Sequence, residues 1–120
     1  MLFIEYPKCS TCKKAKKFLE DNNQEFIDRN IITETPSKEE LKTWIKKYDI
    51  KLDKLYNTSG MKYRELNLKE KRQKMSEEEQ LTLLSSDGML IKRPILITKK
   101  AMLTGFREQE WEKVLEEERK

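Results

Sequence analysis

The sequence predicts an α/β fold: a four-stranded mixed sheet built from a βαβ half and a ββα half, with a helical block inserted between them. Three observations predict it. Short apolar runs of strand length open the chain and return in its last third. Apolar stripes at helical spacing, two of them behind capping-box starts, fill the middle. Strand, helix and strand follow one another within about the first thirty residues, which makes a βαβ unit with a parallel pair. The chain has 120 residues, enough for one domain, residues 1–120, with the insertion at about 37–88.

Taken in order, Leu2-Phe3-Ile4 with Tyr6 reads as a buried strand that Pro7 ends. Ser10 or Thr11 can cap a helix from about Cys12 to Asp21, whose inward side is Cys12, Ala15, Phe18 and Leu19. Asn22-Asn23 stops it, and Glu25–Ile31 reads as the second strand. Ser37 and Glu40 form a capping box for a helix with Leu41, Trp44, Ile45 and Tyr48 on one face. Leu52 and Leu55 suggest a short helical turn, and Asn57-Thr58-Ser59-Gly60 a break. Met61–Leu68 reads as one helix with Tyr63, Leu66 and Leu68 partly inward. Ser76 and Glu79 make a second capping box, for a helix through Leu81 and Leu84 that ends near Asp87-Gly88. Leu90–Ile97 returns to strand, with Pro94 at its opening because proline cannot donate to a ladder. Met102-Leu103-Thr104 closes a hairpin, and a last helix from Glu108 turns Trp111, Val114 and Leu115 inward. Glu116–Lys120 reads as a solvated charge run. Strands and helices in this order are the arrangement of a thioredoxin-like (glutaredoxin-like) sheet with helices inserted in its middle.

Composition narrows the function. Net charge is +4, from 26 Lys and Arg against 22 Asp and Glu. That excess can help hold an anion, but no basic arm with interleaved aromatics or DNA-binding module accompanies it, so direct nucleic-acid binding is not expected. No stretch approaches the roughly 20 apolar residues of a membrane helix, and the start of the chain is too quickly polar for a signal peptide. A cytoplasmic location and reduced cysteines are therefore expected. With no His and two Cys in the whole chain, no metal site is expected either.

The chemistry gathers in Tyr6-Pro7-Lys8-Cys9-Ser10-Thr11-Cys12-Lys13-Lys14. A cysteine just before a helix meets unpaired N–H groups and the positive end of the dipole, which favour the thiolate. Lys8, Lys13 and Lys14 add positive potential. Cys12, inside the first turn and on the apolar side, is the less exposed. Cys9 is thus the expected nucleophile and Cys12 the resolving thiol. Ser10 and Thr11 complete a small hydroxylated loop that can cradle an anion. Arg93 precedes Pro94, and in a thioredoxin-like fold that position faces the cysteine loop, where its guanidinium can bind an oxyanion.

Four segments carry a family resemblance: Tyr-Pro-Lys-Cys-Ser-Thr-Cys at 6–12, Pro-Ser-Lys-Glu-Glu-Leu at 36–41, Lys-Tyr-Arg-Glu-Leu-Asn-Leu at 62–68 and Leu-Ile-Lys-Arg-Pro-Ile at 90–95. In these the chain resembles the arsenate reductase (ArsC)/Spx family. The resemblance implies a thioredoxin-like fold and a cis peptide before Pro94. On the arsenate reductase side it implies a thiol oxidoreductase with no bound cofactor, fed by glutathione or by a glutaredoxin or thioredoxin as redox partner. There a cysteine attacks arsenate, a small oxyanion, while three arginines hold the anion; Arg93, with Ser10 and Thr11, would hold such an oxyanion or a thiol substrate's carboxylate. Cys9 matches the nucleophile and Arg93 one arginine. Asn57-Thr58-Ser59-Gly60 and Leu103-Thr104-Gly105-Phe106 stand where the others are expected, with Arg107 nearby, so Asn57 becomes a candidate substrate contact. Losing two cations should weaken oxyanion binding by several kcal/mol, at about 1.5–3 per charged hydrogen bond. On the Spx side the resemblance implies a redox-sensing transcriptional regulator that binds the RNA polymerase α subunit, with Cys9-x-x-Cys12 as sensor and Gly60 in the partner-binding region.

Overall fold

A computed structural model describes residues 1–119; Lys120, the end of the expected charge run, lies outside the described residues. The chain divides into two compact units, one made of Met1–Asn30 and the segment from Arg93 onward, the other of Ile31–Lys92.

The first unit holds the sheet. Strands β1 (Leu2–Glu5), β2 (Ile27–Asn30), β3 (Ile95–Ile97) and β4 (Met102–Thr104) lie in the order β2-β1-β3-β4. β1 pairs parallel with β2 and antiparallel with β3, and β3 pairs antiparallel with β4. The parallel pair needs a crossover, supplied by α1 (Ser10–Asp21). The chain ends in α6 (Glu108–Glu118). Register lines up Phe3, Leu96 and Leu103 across three strands. These three pack with Ala15, Phe18 and Leu19 of α1 and Trp111 and Leu115 of α6 into one apolar cluster. Edge-on aromatic contacts stitch it: Phe3 to Trp111 at 6.2 Å and Phe106 to Trp111 at 5.0 Å between ring centroids. The Trp111 indole N–H donates to the Gly105 carbonyl at 3.0 Å, so its polar edge is satisfied in the core.

The second unit is helical: α2 (Lys38–Lys47), α3 (Met61–Glu65), α4 (Leu68–Lys71) and α5 (Glu77–Ser86), with single 3₁₀ turns at Leu52–Leu55, Arg72–Lys74 and Gly88–Leu90. Both expected capping boxes are present, Ser37 with Glu40 and Ser76 with Glu79, each closed by two bonds of 3.0 and 3.1 Å. Gly88 is fixed by space: a Cβ there would stand 2.2 Å from the Ile31 carbonyl oxygen.

The structure corrects four expectations. Leu90–Ile97 is not one strand. Only Ile95–Ile97 joins the sheet, while Ile91 bridges Tyr56 and the Lys92 N–H donates to Leu55 at 2.7 Å. Residues 90–92 spend their backbone groups inside the helical unit. Met61–Leu68 is broken in two because Asn67 turns left-handed (φ 52°), which re-aims the chain so that Leu68 is buried, as Tyr63 is, while Leu66 at the end of α3 is exposed. The second strand is shorter than Glu25–Ile31, spanning Ile27–Asn30. Finally, neither Ser10 nor Thr11 caps α1; both lie inside the helix, and Cys9 is the cap.

Candidate active site

That last difference builds the site. β1 delivers the chain to Glu5, and Pro7, with no N–H to offer, turns it away from the sheet. The Cys9 N–H donates back to the Tyr6 carbonyl at 2.9 Å and closes the turn. Cys9 has extended backbone angles (φ −90°, ψ 122°), and its Sγ accepts the Cys12 N–H at 3.3 Å. A sulfur therefore does what a Ser or Asp oxygen does at other helix starts. A cap position faces the orphan N–H groups of the first turn and the positive end of the helix dipole, a setting that stabilises a thiolate.

The two thiols are tuned apart. Burial alone would push the Cys9 thiol up, but the Cys12 thiol and N–H, and then the hydrogen-bonding groups and charge of Arg93, outweigh it, so Cys9 titrates below the usual thiol range. Cys12 is fully buried, and burial, with the neighbouring Cys9 sulfur, pushes it up to about 12. Of the two thiols, Cys9 is the one that ionises first, beside a Cys12 that keeps its proton. Both cysteines are free in this structure.

Arg93 forms the opposite wall. The peptide before Pro94 is cis, as the resemblance implied, and the Pro94 carbonyl accepts from Gly105 N–H at 2.8 Å. The Arg93 guanidinium carbon stands 5.0 Å from the centroid of the Tyr6 ring. Its Nη1 is buried and has no hydrogen-bond partner among the described residues. The cation that acts on Cys9 is thus Arg93; Lys8, Lys13 and Lys14 stand exposed around the loop. Ser10 and Thr11 are exposed on the first turn of α1. Asn57 belongs to the helical unit, where its side chain donates to the Met89 carbonyl at 3.4 Å and its backbone N–H to Leu90 at 2.8 Å. Where a third arginine is expected, Phe106 packs against Phe18 and Trp111, and Arg107 is exposed just before α6.

Sequence reasoning missed two features. One is Tyr6 as the platform under Arg93. The sequence places it only at a strand's end, because its partner is far away along the chain. The other is an acidic pair. Glu5, at the end of β1 and 4% exposed, faces Asp28 on β2, to which its protonated carboxyl can donate, while Lys16 of α1 binds Asp28 at 2.8 Å and reaches Glu5 at 3.8 Å. Burial, then Asp28, raises Glu5 to about 7. The one signal in sequence was a charged residue inside an otherwise apolar strand. Among the described residues no group of three or more His, Cys, Asp or Glu is placed to hold a metal, and no helix is long and apolar enough to cross a membrane.

Comparison with known proteins decides the lineage. Residues 4–114 match the ArsC family. The chain belongs to the ArsC family. An uncharacterised Bacillus subtilis protein, YusI, is 54% identical over 112 residues, 93% of this chain and 95% of that one. The global transcriptional regulator Spx of Streptococcus pneumoniae is 32% identical over 109 residues, 91% of this chain and 80% of that one. The crystal structure of a Bacteroides fragilis protein described as ArsC family related superposes with a TM-score of 0.88 at 49% identity, covering 94% of this chain and 95% of the other. The thioredoxin-like fold expected from the element order is therefore the fold of this ArsC-family chain.

Proposed function

We propose that this ArsC-family protein is a cytoplasmic thiol–disulfide oxidoreductase in which Cys9 attacks and Cys12 resolves. The single observation that supports the reading most is the split between the two thiols: one held down at a helix cap, the other buried and held up to about 12. With a disulfide substrate, the Cys9 thiolate bonds to one substrate sulfur and expels the other as a thiolate. Cys12 then gives up its proton and attacks Cys9, releasing the second substrate thiol and leaving a Cys9–Cys12 disulfide. The substrate gains two electrons and the cysteines lose two. Two glutathione molecules, or one dithiol of a glutaredoxin or thioredoxin, would restore them. The resting split also explains the order: a buried thiol becomes a competent nucleophile only once Cys9 has lost its negative charge. The free Nη1 of Arg93 supports an anionic group on the substrate, a carboxylate or an oxyanion, with Lys8, Ser10 and Thr11 at the mouth. Arsenate fits less well than a disulfide, because Arg93 is the guanidinium that acts on Cys9 among the described residues.

Mass spectrometry of the thiol-specific adducts tests this. Oxidised glutathione should convert the wild type to a species lighter by two hydrogens, and Cys12→Ser should trap glutathione on Cys9. Cys9→Ser should do neither. If no Cys9 adduct and no internal disulfide forms with oxidised glutathione or arsenate, the reading is lost.

A second reading is favoured by the regulator relatives: a redox-sensing regulator of the Spx type that binds the RNA polymerase α subunit, without turnover. Capture of purified α subunit by the reduced or the oxidised protein supports it, and no binding in either state removes it.

A further inference from the structure

We infer that Tyr6 is a positioning residue for this site: its ring holds the Arg93 guanidinium at the angle from which it acts on Cys9. The inference builds on Cys9 as the working thiol, but its test needs no turnover. Tyr6 touches each part of the site through a different group. Its carbonyl accepts the Cys9 N–H at 2.9 Å and sets the turn that makes Cys9 the helix cap. Its backbone also reaches the Cys12 thiol. Its ring lies 5.0 Å from the Arg93 guanidinium carbon. One residue thus registers the cysteine loop from β1 against the arginine that arrives from the turn before β3.

The arrangement solves a specific problem. A guanidinium has five donors and needs directional partners to keep one orientation. Among the described residues Arg93 has no carboxylate within ion-pair distance, and its Nη1 is buried without a partner. A carboxylate would fix it but would also cancel the charge that favours the thiolate. An aromatic face fixes it and leaves the charge and the in-plane donors available. Tyr6 therefore holds Arg93 without neutralising it, and Nη1 remains for the anionic group of a substrate.

The test uses the full chain with Tyr6→Leu, Tyr6→Phe, Arg93→Ala and the Tyr6→Leu/Arg93→Ala double variant. The readout is thiolate absorbance against pH. Because Cys12 titrates at about 12, the first transition reports Cys9. In Tyr6→Leu the thiolate population below the midpoint should fall about two- to fivefold, the worth of one cation–π contact at a half-exposed site. Tyr6→Phe keeps the ring and should titrate as the wild type does. Arg93→Ala should fall at least as far, and adding Tyr6→Leu to it should change nothing more, since the ring then has no guanidinium to hold. Far-UV circular dichroism confirms that each variant is folded. A wild-type titration in Tyr6→Leu, a Tyr6→Phe that fails with it, or additive effects in the double variant would each overturn the inference. Loss of glutathione adducts in the wild type would overturn the proposed function instead, and leaves this titration readable.

Discussion

The protein stacks an arginine on a tyrosine twice, once in each unit, and the two pairs do different work. In the helical unit Arg72 lies 4.4 Å from the Tyr56 ring centroid, and in the sheet unit Arg93 lies 5.0 Å from Tyr6. Each guanidinium has a buried Nη1 with no hydrogen-bond partner among the described residues. The surroundings differ. Arg72 forms an ion pair with Asp53, and Tyr56 is buried with its hydroxyl donating to Gln80 at 3.0 Å. Arg93 has a thiol as its acidic neighbour, and Tyr6 is half exposed. The same two side chains make a core strut when a carboxylate absorbs the charge, and a tuning device when a titratable thiol receives it.

Four measurements break or sharpen that contrast. The largest effect is expected at the strut: Tyr56→Ala empties a fully buried aromatic site and should cost about 3–5 kcal/mol in denaturant unfolding. An equally large loss from Tyr6→Ala would erase the distinction. Next is the pH slope from Glu5, the acid beside Tyr6. Its carboxyl is raised from 4.5 to about 7, so the folded state holds a proton that the unfolded chain has lost between those values. Stability should decline as pH rises from about 4.5 to about 7, by at most about 3 kcal/mol. Asp28, held low by the same cluster after burial is overcome, acts below its usual range and so outside that window. Glu5→Gln should flatten the decline in urea titrations run at several pH values; an unchanged slope would place its origin elsewhere. Third, Arg93→Ala should move the Cys9 thiol upward while changing stability by no more than about 1 kcal/mol. A folded Arg93→Ala with an unmoved thiol would make Arg93 a second strut. The smallest effect is at Asp53→Asn. Asp53 is 75% exposed on its side chain, and breaking such a pair should cost about 0.2–1 kcal/mol. A much larger loss, seen as a lowered urea midpoint, would mean that Arg72 relies on that carboxylate as on a buried partner.

Local chemistry explains which features were legible. Both capping boxes could be read because Ser and Glu three residues apart satisfy each other within one turn. The Cys-x-x-Cys pair could be read for the same reason, since strand, turn and helix start are contiguous. The cap itself falls to Cys9 rather than to Ser10 or Thr11, the usual side chains for the task, because the turn closed by Tyr6 starts the helix earlier. The split of Met61–Leu68 into two helices is not legible because a single left-handed residue, Asn67, makes the break with no warning in the apolar spacing. Residues 90–92 look like strand by composition, but Leu90 closes a 3₁₀ turn, Ile91 is extended, and Leu55, Tyr56 and Asn57 take up their hydrogen bonds.

By itself, then, the sequence determined the order of the strands and main helices and both capping boxes, and it singled out Cys9 as the candidate nucleophile, because each rests on interactions between residues a few positions apart. Tertiary structure alone decided which cation tunes that thiol. Three lysines flank Cys9 in sequence, yet they stand in solvent, and the arginine from the far end of the chain acts on the sulfur. Sequence proximity keeps a flexible side chain near its neighbour without aiming it, and water screens what is not aimed. Sheet pairing of β1 with β3 brings Tyr6 and Arg93 together, and a ring beneath a guanidinium supplies the direction that sequence proximity cannot.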